Sequence, residues 1–265
     1  MQLLRPHLLL ALLACCGRVG FDEVELRVDG APVEGDGAGD ASANLLEGCA
    51  LLLHMDEPAW AGNAGEVHDA CGTDDAGTVV GVGATTIAMG VRGRGATFPG
   101  AGCIEFGDVT ELRTSTAVTM SAWVRPTGLD GSSPLGIIAK RVAVDVGTEY
   151  DLFLYTGDKA AIDIGVERFA GATTFVNGVW RQLTAVYDGA LPMQERLRVY
   201  VDGALDVIIP VTGDTIPPAM SPFDVGCLQV SGPAQYFVGD LDEVAVWTRA
   251  LSPAEVAAWY TVSQQ

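Results

Sequence analysis

Tyr236-Phe-Val-Gly-Asp-Leu-Asp-Glu-Val-Ala-Val-Trp247 and the stretch that follows it, Thr248-Arg-Ala-Leu-Ser-Pro-Ala-Glu255, decide the architecture of this chain. The first stretch is rich in β-branched and aromatic residues and reads as a strand. Thr248–Leu251 ends it. Ser252 then stands at an N-cap, Pro253 at the first helical position and Glu255 two residues later, a capping box whose first turn is set by the proline ring. A short amphipathic helix running to about Tyr260 is predicted, and it is the only credible helix in the body of the chain.

Working upstream, strand follows strand. Leu197, Val199 and Val201 alternate with Arg198, Tyr200 and Asp202. Asp202-Gly203 intervenes before Leu205-Asp-Val-Ile-Ile209, a hairpin signal because a type I′ turn needs positive φ at both central residues. Tyr150–Tyr155 and Ala161–Val166 form a second pair, turned at Gly157-Asp158, and Asp188-Gly189 ends a strand that begins near Trp180. Pro217, Pro218 and Pro222 mark an irregular crossover. Strands at this spacing without helical periods between them predict an all-β, antiparallel two-sheet fold. No internal repeat recurs at a fixed period.

The strand-then-capped-helix ending resembles the close of the laminin-G-like, concanavalin A-like lectin and glucanase jelly rolls. Leu51-Leu-Leu-His-Met-Asp56, Ala96-Thr-Phe98, Val118–Pro126, Trp180 with Val186–Gly189, and Val199-Tyr-Val-Asp-Gly203 fit the same family. The resemblance spans roughly residues 49 to 260. It implies a jelly-roll sandwich with a short C-terminal helix, on a fold that hosts enzymes, lectins and adhesins alike, so function has to be read from a site.

The chain begins like a bacterial lipoprotein. Arg5 and His7 supply a polar start and Leu8–Ala14 an apolar stretch, and Leu12-Leu-Ala-Cys15 matches the lipobox, in which the cysteine thiol carries the lipid. Cys16 rather than Asp follows, so the inner-membrane retention signal is missing. The expected address is the bacterial cell envelope, lipid-anchored at Cys15, at the outer membrane or exposed on the surface. Residues 1–14 are thus expected to be the signal peptide, 15–48 an acidic tether and 49–265 the jelly-roll domain. Residues 17–48 hold eight acidic residues and two arginines among Gly, Ala, Pro and Ser, with no sustained period. No later segment approaches the roughly 20 apolar residues of a spanning helix.

Residues 49–265 carry 26 acidic and 12 basic residues, a net charge of −14. Nucleic acid and anionic lipid need a basic face, so this balance argues against both. Outside the cytosol disulfides are expected. With Cys15 lipidated and Cys16 left unpaired, Cys49, Cys71, Cys103 and Cys227 allow three connectivities. Cys49–Cys71 with Cys103–Cys227 is favoured, the first flanking one strand and its loop, the second joining two strand-like segments across the sandwich. No Cys-x-x-Cys or Cys-x-x-His spacing points to zinc.

Three site readings remain. The family resemblance implies a structural calcium between the first and last strands, at Asp242 with Asp56 as partner. Asp240 shares a strand face with Asp242, and two carboxylates so placed repel unless a cation, an arginine or water lies between them. Sugar binding in the family style would use exposed aromatics as platforms, with Trp60 and Tyr236 the candidates and Phe169 a weaker one. Trp123, Trp180 and Trp247 are expected in the core, with Trp259 packing the helix on it. Catalysis of the glucanase type would need Glu-x-Asp-x-x-Glu on one strand, and no such string occurs. The expected function is a non-catalytic module recognising glycan or a surface protein, with a sandwich glycoside hydrolase or lyase and a passive spacer as alternatives.

Overall fold

Along Ala117–Pro126 the side chains of Val118, Met120, Ala122 and Val124 enter one apolar core, while Thr119, Ser121 and Trp123 meet other partners on the opposite face. This two-residue period, repeated strand by strand, builds the molecule. The structure is a computed structural model that describes residues 45–71, 75–143, 146–230 and 234–265. The expected signal peptide, the expected lipidation site Cys15 and the expected tether up to residue 44 lie outside the described residues.

The front sheet runs from the edge strand Ala204–Ile209 through Leu197–Val201, Arg181–Asp188 and Ala117–Pro126 to Val238–Trp247. That last strand has two neighbours on its far side. Gly95–Pro99 pairs with its first half and Cys49–Leu53 with its second, and Thr85–Ile87 adds to Gly95–Pro99. The back sheet runs Glu167–Thr174, Lys159–Ile164, Val146–Tyr155, Leu135–Ala143, Phe223–Val225, Gly102–Gly107, Ala76–Gly81 and Val67–His68. Every pairing among the described residues is antiparallel, as expected of a jelly-roll sandwich. The Asp202-Gly203 hairpin turns with φ of 52° and 74°, the positive pair that its sequence requires.

A second core lies outside the sandwich. The helix Pro253–Val262, with its capping box complete at Ser252 and Glu255, packs on the outer face of the front sheet. Trp259 donates from Nε1 to Ser121 Oγ at 3.0 Å and Trp123 to Ser263 Oγ at 2.9 Å. Trp247 and Trp259 meet edge to face at 5.3 Å, and Trp123 stacks on Tyr260 at 5.5 Å. Trp123 and Trp247 are therefore buried as expected, but beneath the helix rather than between the sheets. Trp180 departs further. It is half-buried, with the Arg125 guanidinium 4.9 Å above its ring, because it precedes the strand Arg181–Asp188 instead of opening it.

Two boundaries shift. Leu45 is buried in the outer core and its carbonyl accepts from Trp247 Nε1 at 2.6 Å, so residues 45–48 are bound to the domain rather than to a tether. Tyr236 leaves the final strand and pairs as Gln235–Tyr236 with Cys227–Leu228 in a small separate ribbon. Both expected disulfides form, Cys49–Cys71 and Cys103–Cys227. The second does not cross the sandwich. It ties the ribbon to Gly102–Gly107 of the back sheet, because Gly226 at φ 84° turns the chain out of Phe223–Val225.

Because Trp259 joins helix to sheet by both packing and a hydrogen bond, Trp259→Ala should cost about 3–5 kcal/mol in chemical denaturation. A cost below about 1 kcal/mol would mean that the helix adds little to the fold.

Candidate functional site

At the junction of first and last strands the final strand bulges between Asp242 and Ala245, with Glu243 at φ 47°. The turn 90–94 folds over this bulge. Asp242 Oδ2 accepts from the amides of Val91 at 2.7 Å and Arg92 at 3.0 Å, and its Oδ1 from Glu243 N at 2.9 Å. Asp56 Oδ1 accepts from Arg94 N at 2.6 Å. Gly90 and Gly93 let the turn lie this close, since a Cβ on either would collide with the carboxylate of Asp242 or Asp56. His54 Nδ1 donates to the fully buried Glu243 at 2.7 Å, and Arg92 lies 3.8 Å from the other Glu243 oxygen. A pocket of about 330 Å³ beside them is lined by His54, Asp56, Glu57, His68 and Asp69.

These residues do not fit a calcium ion. Such an ion needs six to eight oxygens, whereas both oxygens of Asp242 and one of Asp56 are taken by amide N–H groups. Asp240 does share a face with Asp242, but the Arg125 Nε holds it at 2.7 Å. Among the described residues no three His, Cys, Asp or Glu side chains group to hold a metal.

The outer face of the back sheet gathers a different set. In Val146–Tyr155, Tyr150, Leu152 and Leu154 enter the core, leaving Asp151, Phe153 and Tyr155 outward. Lys159, Ala161 and Asp163 stand opposite Tyr155, Phe153 and Asp151 in the ladder. Two carboxylates thus lie side by side, each met by a guanidinium. Arg141 Nη1 is 2.9 Å from Asp151, and Arg168 donates to Asp163 from Nε at 2.8 Å and Nη2 at 2.7 Å. Asp151 and Asp163 are 0% and 4% exposed, which seals them from solvent. Burial raises the Asp151 carboxyl and the Arg141 charge opposes that shift. The Arg168 guanidinium also lies 5.0 Å from the Phe153 ring centre and 5.7 Å from that of Tyr155.

A pocket of about 180 Å³ opens beside this array. Its origin is a slip in the ladder. Lys159 pairs with Thr174 but Ala161 with Ala170, so three residues of one strand face five of the other. The surplus bows outward, and Asp206 on the front-sheet edge accepts from Ala172 N at 2.7 Å and Thr173 Oγ1 at 2.6 Å. Tyr155, Lys159, Ala161 and Arg168 line the gap from the outer face, with Ala160 and Phe169 beneath.

The aromatic candidates are scattered. Trp60 is 8% exposed and packs in the inter-sheet core, with Nε1 donating to Glu57 at 3.2 Å, so it anchors its loop and offers no platform. Phe169 forms the pocket floor, and Tyr236 is half-buried on the ribbon. Tyr155, Lys159 and Arg168 were not among the expected site residues. The alternation in Tyr150-Asp-Leu-Phe-Leu-Tyr155 does place Phe153 and Tyr155 on one face, but nothing local reveals the ladder slip.

A family model described as the concanavalin A-like lectin/glucanases superfamily matches residues 98–257. The chain belongs to this superfamily. No curated protein matches the chain. Among solved structures, domain 4 of AbnA, a GH43 extracellular arabinanase from Geobacillus stearothermophilus in complex with arabinotriose, aligns with a TM-score of 0.60 at 18% identity, covering 79% of this chain and 97% of that one. The binding domain of botulinum neurotoxin serotype G aligns with a TM-score of 0.57 at 14% identity over 81% of this chain. That of botulinum neurotoxin DC in complex with rat synaptotagmin II aligns with a TM-score of 0.55 at 11% identity over 83%. The superfamily member spans about half of these two toxin domains, 51% and 52%. At such identities the likeness is one of fold.

The strand junction should be sensitive to pH. The bond to Glu243 raises His54 above 6.5, so its contribution is complete below that value and is lost as pH rises through the raised one. Asp242, raised from 3.8 to about 7, makes the fold less stable as pH climbs between those values. Burial raises Asp224 to about 6 and adds the same sign. Melting temperature should therefore fall from about pH 4 to pH 8, and in His54→Gln the fall above about pH 6.5 should flatten. Parallel curves for the two proteins would dismiss the role given to His54.

Proposed function

We propose that this superfamily member is a non-catalytic recognition module of the bacterial cell envelope that binds glycan at the pocket beside Tyr155 and Arg168. One observation carries the reading. A half-buried tyrosine and a guanidinium already fixed by Asp163 border an open pocket, on a sheet face that the helix does not cover. An aromatic ring offers a flat apolar surface to a sugar, and held polar groups fix its orientation with little entropy lost. The arabinotriose complex of the arabinanase domain supports a sugar as the ligand class. A protein partner, as in the synaptotagmin complex, would use a broader surface than a pocket of about 180 Å³.

The hydrolase alternative has one observation in its favour, the pair Asp151 and Asp163. Catalytic carboxylates must reach the glycosidic bond, and these two are buried and engaged by arginines, so we read them as the support beneath Arg168. In this proposal Cys15 carries the lipid that anchors the chain to the outer membrane, and no metal is required.

Titration calorimetry of the protein against a panel of plant and bacterial oligosaccharides should find a ligand. Tyr155→Ala should weaken that ligand by roughly fivefold to tenfold, the worth of one aromatic contact, without lowering the melting temperature by more than a few degrees. Unchanged affinity in the variant, or no affinity for any glycan in the parent, would rule the reading out.

A further inference from the structure

We infer that the sugar taken by this pocket is acidic, a hexuronate whose carboxylate is held by Lys159 and Arg168. The inference rests on the glycan reading above and adds to it a charge class. The jelly-roll domain has a net charge of −14 and the whole chain only two lysines. Lys140 is fully buried, within reach of the Ser221 carbonyl at 2.8 Å and of Asp108 and Glu149 at 3.5 Å each. Lys159 is half-buried at the pocket, and among the described residues no carboxylate lies within ion-pair distance of it. It is the one lysine whose charge is left for something other than the fold.

Arg168 is similarly committed on one side only. Asp163 takes its Nε and Nη2, leaving Nη1 without a hydrogen-bond acceptor among the described residues, on a side chain 42% exposed. Two cations therefore line one small pocket of a strongly acidic protein. A neutral sugar gives Lys159 no counter-charge, whereas a carboxylate on the ring answers it and accepts from the remaining Nη1 of Arg168 while the ring face lies against Tyr155. The volume equals roughly six water molecules, which suits a single sugar ring with its substituent. A sulfate ester would present the same negative charge with a bulkier tetrahedral group, so the two anions have to be separated by experiment.

The full chain should be titrated with a galacturonate trisaccharide, with its carboxyl-reduced neutral counterpart and with a sulfated galactose trisaccharide. The uronate should bind at least about tenfold more tightly than the neutral sugar, and raising salt from about 0.05 to 0.5 M should shrink that advantage. Lys159→Gln should abolish the preference and Lys159→Arg should keep it, with melting temperatures unchanged in both. Equal binding of acidic and neutral sugars, or a preference that survives Lys159→Gln, overturns the inference while leaving the glycan reading intact. Binding of the sulfated sugar alone overturns the carboxylate assignment. Failure of every glycan, neutral ones included, overturns both.

Discussion

Amide N–H groups that a sandwich leaves outside its ladders have to find acceptors, and in this protein carboxylates supply many of them. A carboxylate offers two oxygens and so can terminate several donors at once. Asp242 serves Val91, Arg92 and Glu243, Asp69 serves Leu52 and Cys71, and Asp206 serves Ala172 and Thr173. Asp202 takes Gln182, and Glu66 takes Ala61 and Gly62 at 2.6 Å each. Asp130 gathers Ser132 and Ser133 so closely that its carboxyl falls well below the usual range. Much of the negative charge is thus the means by which loops, bulges and edges are closed. The acidity that invites a reading of cation binding is largely spent on backbone.

How much of this could be read beforehand depends on whether the deciding contact is local. The Asp202-Gly203 turn and the Ser252 cap are set by residues within four positions of one another, and both form as their sequences require. The disulfide pairs form as expected, although Cys103–Cys227 joins the ribbon to the back sheet rather than one sheet to the other. What escaped depends on distant partners. Trp123 and Trp247 alternate as strand residues do, but only the helix decides that their face becomes a second core. Trp60 sits in a polar loop and still reaches the inter-sheet core, which no periodicity can disclose. The pocket arises from a mismatch between two strands, each of which is unremarkable alone.

The two sheets have consequently divided their outer faces. One is covered by the helix and its tryptophans, so its polar positions turn to internal partners such as Ser121 and Thr184, 2.8 Å apart. The other keeps a charged array in which Arg141 and Arg168 neutralise Asp151 and Asp163. Burying such a set costs desolvation, and breaking one member would strand the rest. What the arrangement gains is a guanidinium of fixed orientation against two aromatic rings, a surface whose geometry exists before anything arrives.

The two outer faces are also independent of each other. Leu45 packs under the helix against Trp247, while the Tyr155 pocket belongs to the opposite sheet. Among the described residues, the first one and the pocket therefore lie on opposite sheets of the sandwich. A substitution beneath the helix and one at the pocket are thus separated by the whole inter-sheet core, so each can be altered without touching the other.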